Sequence, residues 1–148
     1  MRLLLSFLTV IIAFSALFAG EIPAAIEGFW LSQNQDAVIE ILPRDGFFYG
    51  KIVWLEEPLD ESGNPKTDTE NPEAGLRERQ IIGLEILKEF RQKKNKWKGG
   101  TIYDPETGKT YSCSMKLKED RLHIRGFIGI SLLGRTEIWT RIETLPEP

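Results

Sequence analysis

Trp97-Lys98-Gly99-Gly100-Thr101-Ile102-Tyr103, then Asp104-Pro105-Glu106-Thr107-Gly108, then Lys109-Thr110-Tyr111-Ser112-Cys113-Ser114-Met115-Lys116-Leu117-Lys118 is the stretch that decides the fold class. In its second arm Tyr111, Cys113, Met115 and Leu117 alternate with Thr110, Ser112, Ser114, Lys116 and Lys118. A period of two places one set of side chains in a core and the other in water, as on one strand of an antiparallel sheet. The Asp-Pro-Glu-Thr-Gly insert is turn chemistry, so the two arms form a hairpin. Working outward, Leu122, Ile124, Gly126 and Ile128 alternate with Arg121, His123, Arg125 and Phe127, and a last strand runs from Gly134 to Ile142.

Upstream, Ile81 to Phe90 leads through a basic tip at Lys93-Lys94-Asn95 into the first arm of the central hairpin. Ala37-Val38-Ile39-Glu40-Ile41 ends at Pro43-Arg44-Asp45-Gly46, where Asp-Gly signals a tight turn, and Phe47 to Leu55 returns. With a short opening strand at Gly28-Phe29-Trp30, about eight strands follow one another through short turns, broken by one gap. The expected fold is therefore all-β, an antiparallel up-and-down β-barrel of about eight strands, whose closure removes exposed edges and encloses room for one small ligand. The competing architecture is a two-sheet sandwich, but its Greek-key crossovers need several long connections and only Glu56 to Gln80 is long enough.

That connection carries Pro58, Gly63, Pro65, Pro72 and Gly75 among many acids. Asn71-Pro72-Glu73 has the order of N-cap, first-turn Pro and dipole-matching acid, which predicts a short helix through about Arg79. Long loops without strand pattern in small domains are commonly functional, and this one reads as a lid or plug near one barrel mouth.

A chain of 148 residues with 41% hydrophobic and 28% charged residues has the size and apolar content of one domain with a core. Its formal charge of -3 gives no global sign of a nucleic-acid binder. One His and one Cys rule out an intrachain disulfide and a Cys/His zinc cluster, and no metal or cofactor is expected. Met1-Arg2, an apolar run from Leu3 to Phe18 and the small residues Ala19-Gly20 read as a secretory signal peptide over residues 1–20. Cleavage after Ala19 or Gly20 leaves residues 21–148 as a single barrel domain without a membrane span, expected in the periplasm or secreted. A transmembrane anchor is the alternative, but the run is shorter than the roughly 20 residues a spanning helix uses.

Gly28-x-Trp30 on the first strand and Trp139-Thr140-Arg141 on the last invite a structural reading. In lipocalin-like barrels a terminal Arg covers the first-strand indole at the closed end, so Gly28, Trp30, Trp139 and Arg141 are assigned to barrel closure. For a ligand pocket the candidates are aromatic, Trp54, Tyr103 and Tyr111, with Arg125 and Arg135 as anion contacts should a bulge turn them inward. The acids of the connection, Asp68 among them, match no calcium loop and read as a solvated face. Cys113 falls on the inward register as a small core hydrophobe, and His123 on the outward one. No Gly-x-Ser-x-Gly or His-x-x-x-His spacing is present, so catalysis is not expected. The Lys93, Lys94, Lys96, Lys98 group suits a soluble hairpin tip, with anionic lipid or glycan as the other reading.

Taken in order, Tyr49-Gly50-Lys51-Ile52-Val53-Trp54-Leu55, Asp68-Thr69-Glu70-Asn71-Pro72, Leu76-Arg77-Glu78-Arg79 with Ile82-Gly83-Leu84, Trp97 to Pro105 with Gly108-Lys109-Thr110-Tyr111, and Leu133-Gly134-Arg135 with Trp139-Thr140-Arg141 resemble the bacterial exported proteins grouped as domain of unknown function family 2147. The resemblance spans Gly28 to Arg141. It implies a lipocalin-like or calycin-like barrel in the bacterial envelope or secreted, with no established enzymatic activity and a small, partly apolar ligand. Gln80 departs from the Pro that the resemblance leads one to expect after Arg77-x-Arg79. The expected function is a carrier for a small hydrophobic or amphipathic molecule. The alternative is an interaction module that docks on another envelope protein through residues 56–80.

Overall fold

The computed structural model describes residues 25–127 and 135–147. The segment read as a signal peptide lies outside them, as do Ile128, Leu133 and Gly134. Eight strands, β1 (Gly28–Leu31), β2 (Ala37–Arg44), β3 (Phe47–Leu55), β4 (Glu85–Lys93), β5 (Lys96–Asp104), β6 (Lys109–Lys118), β7 (Arg121–Phe127) and β8 (Arg135–Ile142), pair with their sequence neighbours. Pairing of β8 with β1, with Trp30 opposite Arg141, closes the barrel. All pairs are antiparallel, which is what short turns between alternating segments can build.

The turns set the two ends apart. Asp45 and Gly46 both have positive φ, 53° and 79°, as the two-residue β2–β3 turn requires. That turn lies at one end with Lys94-Asn95, Glu119-Asp120 and the entry of the chain at Ala25. At the other end lie Ser32 to Asp36, the long connection after Leu55 and the turn after Asp104.

The first end is filled. Trp30, Ile41, Phe90, Trp97 and Leu122 are fully buried there, and Phe48 meets Trp97 edge to face with ring centroids 6.2 Å apart. Two strand glycines make room for this filling. A methyl group at Gly50 would stand 2.8 Å from Leu87, and one at Gly100 only 2.5 Å from the Phe90 ring. Arg141 seals the same end, its guanidinium 4.3 Å from the centre of the Trp30 ring. It also donates to the carbonyls of Glu27, at 2.8 Å, and Ala25, while the Trp30 indole N–H donates to Ile26 O at 2.9 Å. The first and last strands and the incoming chain are thus joined by one side chain.

Two sequence expectations need correction. In place of a helix through Arg79 there is a three-residue 3-10 turn, Ala74–Leu76. Asn71 does not cap it; its amide donates to buried Asp68 at 2.8 Å while its Oδ1 accepts from the Glu73 N–H. Residues 81–84 lie outside β4 and steer the chain back into the barrel, with Gly83 N–H donating to Ile52 O and Ile52 N–H to Leu84 O.

Replacing Arg141 with Ala removes a stacked cation and two charge-assisted bonds, so unfolding in urea is expected to lose about 2 to 4 kcal/mol. Arg141→Lys should recover less than half of this, since an ammonium cannot both stack and span two carbonyls. An unchanged urea midpoint in both variants would show that the closed end holds without this residue.

Candidate functional site

The other half of the barrel interior is a cavity of about 940 Å³. Its wall is apolar and drawn from seven strands: Ile39 of β2, Ile52 and Leu55 of β3, Ile86 of β4, Ile102 of β5, Tyr111 of β6, Ile124 of β7 and Trp139 of β8. The mouth is acidic. Asp36, Glu56, Glu57, Asp60 and Glu106 stand around it, with Lys66 and Arg135 as the basic residues of the lining.

The predicted pocket residues separate on this geometry. Tyr111 lines the wall, and Tyr103 borders the cavity with its hydroxyl directed to the connection. Trp54 is not part of the lining. Val38 is paired with Trp54 but Ile39 with Ile52, so β3 carries one extra residue, Val53, and the alternation that would have turned Trp54 inward turns Leu55 inward instead. Arg125 is also outside the cavity. The β7 pairings run without a shift, so Ile124 and Gly126 face in and Arg125 faces out, donating to Thr136 Oγ1 at 3.0 Å.

Arg135 needs no bulge to face inward, because it pairs with inward-facing Gly126. Its guanidinium, largely in solvent, pairs with Glu137 at 3.3 Å. Glu137 in turn accepts from the Trp139 indole N–H at 3.2 Å. Trp139, assigned from sequence to barrel closure, instead stands in the cavity wall one inward position above Arg141. Sequence reasoning missed Glu137. The signal was available: with Arg141 inward, a period of two makes Trp139, Glu137 and Arg135 inward as well.

The connection is held over the rim by a buried carboxylate. Asp68 was read as solvated, yet it is fully buried. It accepts from Tyr103 Oη at 2.6 Å, Asn71 Nδ2 at 2.8 Å and Arg79 Nη2 at 2.9 Å. Its N–H donates to Arg79 O, and Arg77 Nε donates to Asn71 O, tying both sides of the loop to one point. Burial pushes the Asp68 carboxyl up, but the three donors and the Arg79 charge outweigh it and hold it below the ordinary value. Burial and the adjacent carboxylate push the Tyr103 hydroxyl up to about 12. Gly108 completes the seat: with φ at 70°, any methyl there would stand 2.0 Å from Glu70 O.

Two other titratable groups are placed by the same alternation. Cys113 is buried between β5 and β7, and burial pushes its thiol up to about 12, leaving it a protonated core hydrophobe. His123 is on the outer face, where burial and then Lys118, Lys116 and Arg121 push it down.

The Asp68–Tyr103 bond predicts losses of stability at both ends of the pH scale. Because Asp68 is lowered in the folded state, its contribution is present above the unfolded carboxylate value and is lost as pH falls through the folded one. Because Tyr103 is raised, its contribution is lost as pH climbs from the free tyrosine range through about 12. Tyr103→Phe should cost about 1 to 3 kcal/mol at neutral pH, since Asp68 keeps its burial and loses a donor, and should abolish the alkaline loss. Thermal unfolding across pH checks both. An alkaline limb of equal size in the variant would assign that loss to another group.

Among proteins of known structure, the chain is similar to a Helicobacter pylori protein described as "Protein HP1028 from the human pathogen Helicobacter pylori belongs to the lipocalin family". The two share 25% sequence identity with a TM-score of 0.68, over 79% of this chain and 82% of that one. No curated protein matches the sequence. The family model described as "Uncharacterized protein conserved in bacteria (DUF2147)" matches residues 28–141, from the Gly28 that opens β1 to the Arg141 that seals the barrel, and the chain belongs to that family.

Proposed function

We propose that the protein is an exported carrier that holds a small hydrophobic or amphipathic molecule in the open half of its barrel, without transforming it. The observation that carries this reading is the division of the interior: large side chains fill one end, while the other leaves about 940 Å³ bounded by Ile39, Ile52, Ile102, Ile124 and Trp139. Pockets of this size and lining bind small molecules by burying their apolar parts and orienting them through a few polar groups. Here the polar groups are Tyr111, Glu137 and Arg135, with the acids at the mouth. Anionic head groups are disfavoured by that rim, so the proposed ligand has an uncharged or cationic head. The similarity to a protein described as a member of the lipocalin family supports the same reading, and the apolar run at residues 3–18 supports export.

A second reading treats the connection as a docking element for another envelope protein. What favours it is Leu59, a large hydrophobic residue 51% exposed on the far side of the rigid Asp68 network.

Isothermal titration with a long-chain alkylamine and a fatty acid of equal chain length tests the carrier reading. Saturable binding of the amine, at least tenfold tighter than the acid at low salt, is expected, with the gap narrowing as salt screens the rim. Ile124→Trp, which fills the cavity from its wall, should abolish binding of both. Absence of saturable binding to the unaltered protein would overturn the proposal, whereas equal affinity for amine and acid would leave a carrier but remove the role of the acidic mouth.

A further inference from the structure

The outer face of β5, β6 and β7 carries a charge arrangement that the barrel has no use for. Across the strands Lys96 lies opposite Lys116, and Lys116 opposite His123; Lys118 lies opposite Arg121. On the neighbouring pair Arg91 is opposite Lys98 and Lys93 opposite Lys96. Like charges in directly opposed positions destabilise a sheet. The same barrel avoids this elsewhere: Glu40 is paired with Lys51 at 3.3 Å, and Arg44 holds Glu85 at 2.9 Å. None of Lys96, Lys98, Lys116, Lys118 and Arg121 has an ion-pair partner among the described residues. A shallow groove of about 320 Å³ runs between them, bordered by Lys96, Lys98, Ser114, Lys116 and His123.

We propose that this face docks the barrel on an anionic phospholipid surface. The repulsion stored between opposed cations is relieved when negative charge arrives, so the face is complementary to an anionic partner. Several features favour a bilayer over other polyanions. The cations are spread over three adjacent strands and are mostly lysines, point charges that need no bidentate geometry. Aromatic platforms of the kind that bind nucleic-acid bases are not among the groove residues. The face lies toward the closed end, where the chain enters at Ala25 under Arg141, so the apolar run at residues 3–18 joins the barrel on the same side. Docking there leaves the acidic mouth, at the opposite end, open to solution.

Flotation with phosphatidylcholine vesicles, alone or mixed with phosphatidylglycerol, tests the proposal on the full chain. Binding is expected only with phosphatidylglycerol and should disappear at high salt. The variant Lys96→Gln/Lys116→Gln/Lys118→Gln should bind about a hundredfold more weakly. It should also melt at a higher temperature, which a variant damaged in folding would not do. If the triple variant is not recovered folded, Lys116→Gln alone, which separates Lys96 from His123, should weaken binding about fivefold. Equal binding to both vesicle types would overturn the proposal, as would equal binding by the unaltered and triple-variant proteins. Retention on a soluble anionic polysaccharide without vesicle binding would overturn the bilayer and assign the face to a glycan.

Discussion

Arg141 carries the greatest structural burden of any single side chain in this barrel. Lying on the Trp30 ring and donating to the carbonyls of Glu27 and Ala25, it ties the last strand, the first strand and the incoming chain together. A barrel without such a seal would leave β1, only four residues long, as a short edge with few ladder bonds of its own. With the seal in place, the closed end packs around Trp30, Trp97, Phe48 and Phe90, and that packing consumes one half of the interior. The cavity is what the filling leaves over.

A second constraint operates at the other end. The connection from β3 to β4 has few apolar residues with which to hold itself down, and it is fixed instead through buried Asp68. A buried carboxylate is costly unless its lone pairs are filled, and Tyr103, Asn71 and Arg79 fill them from the barrel and from both arms of the loop. The arrangement makes the loop a rigid part of the rim, and it is this rim that presents Glu56, Glu57 and Asp60 to the cavity. The molecule thus has two electrostatic ends, an acidic mouth over an apolar cavity and a cationic flank toward the sealed base.

Much of this was legible from residue order. Strand limits at Phe47–Leu55 and Lys109–Lys118 follow directly from a period of two bounded by turn residues, and the Asp45-Gly46 turn follows from its dipeptide. The errors also have physical sources. Trp54 was placed by continuing the alternation through Ile52, and one extra residue in β3 inverted it. Asp68 looked like any other acid of the connection, since nothing local distinguishes it from Glu70; its burial depends on Tyr103, distant in sequence. Asn71 had the order of a helix cap, but Asp68 competes for its amide and the helix shortens to a single 3-10 turn.

By itself the sequence determined the alternation, the turns and therefore the eight-stranded barrel, because strand periodicity and turn chemistry are local properties that each segment carries with it. It also determined which residues share the inward face wherever the strands are regular, Glu137 included. Tertiary structure alone decided which half of the interior is filled, where a bulge reverses the faces, which acid is buried, and that five pairs of cations meet across neighbouring strands. Each of these depends on register between segments far apart in the chain, and register is set by the closure of the whole barrel.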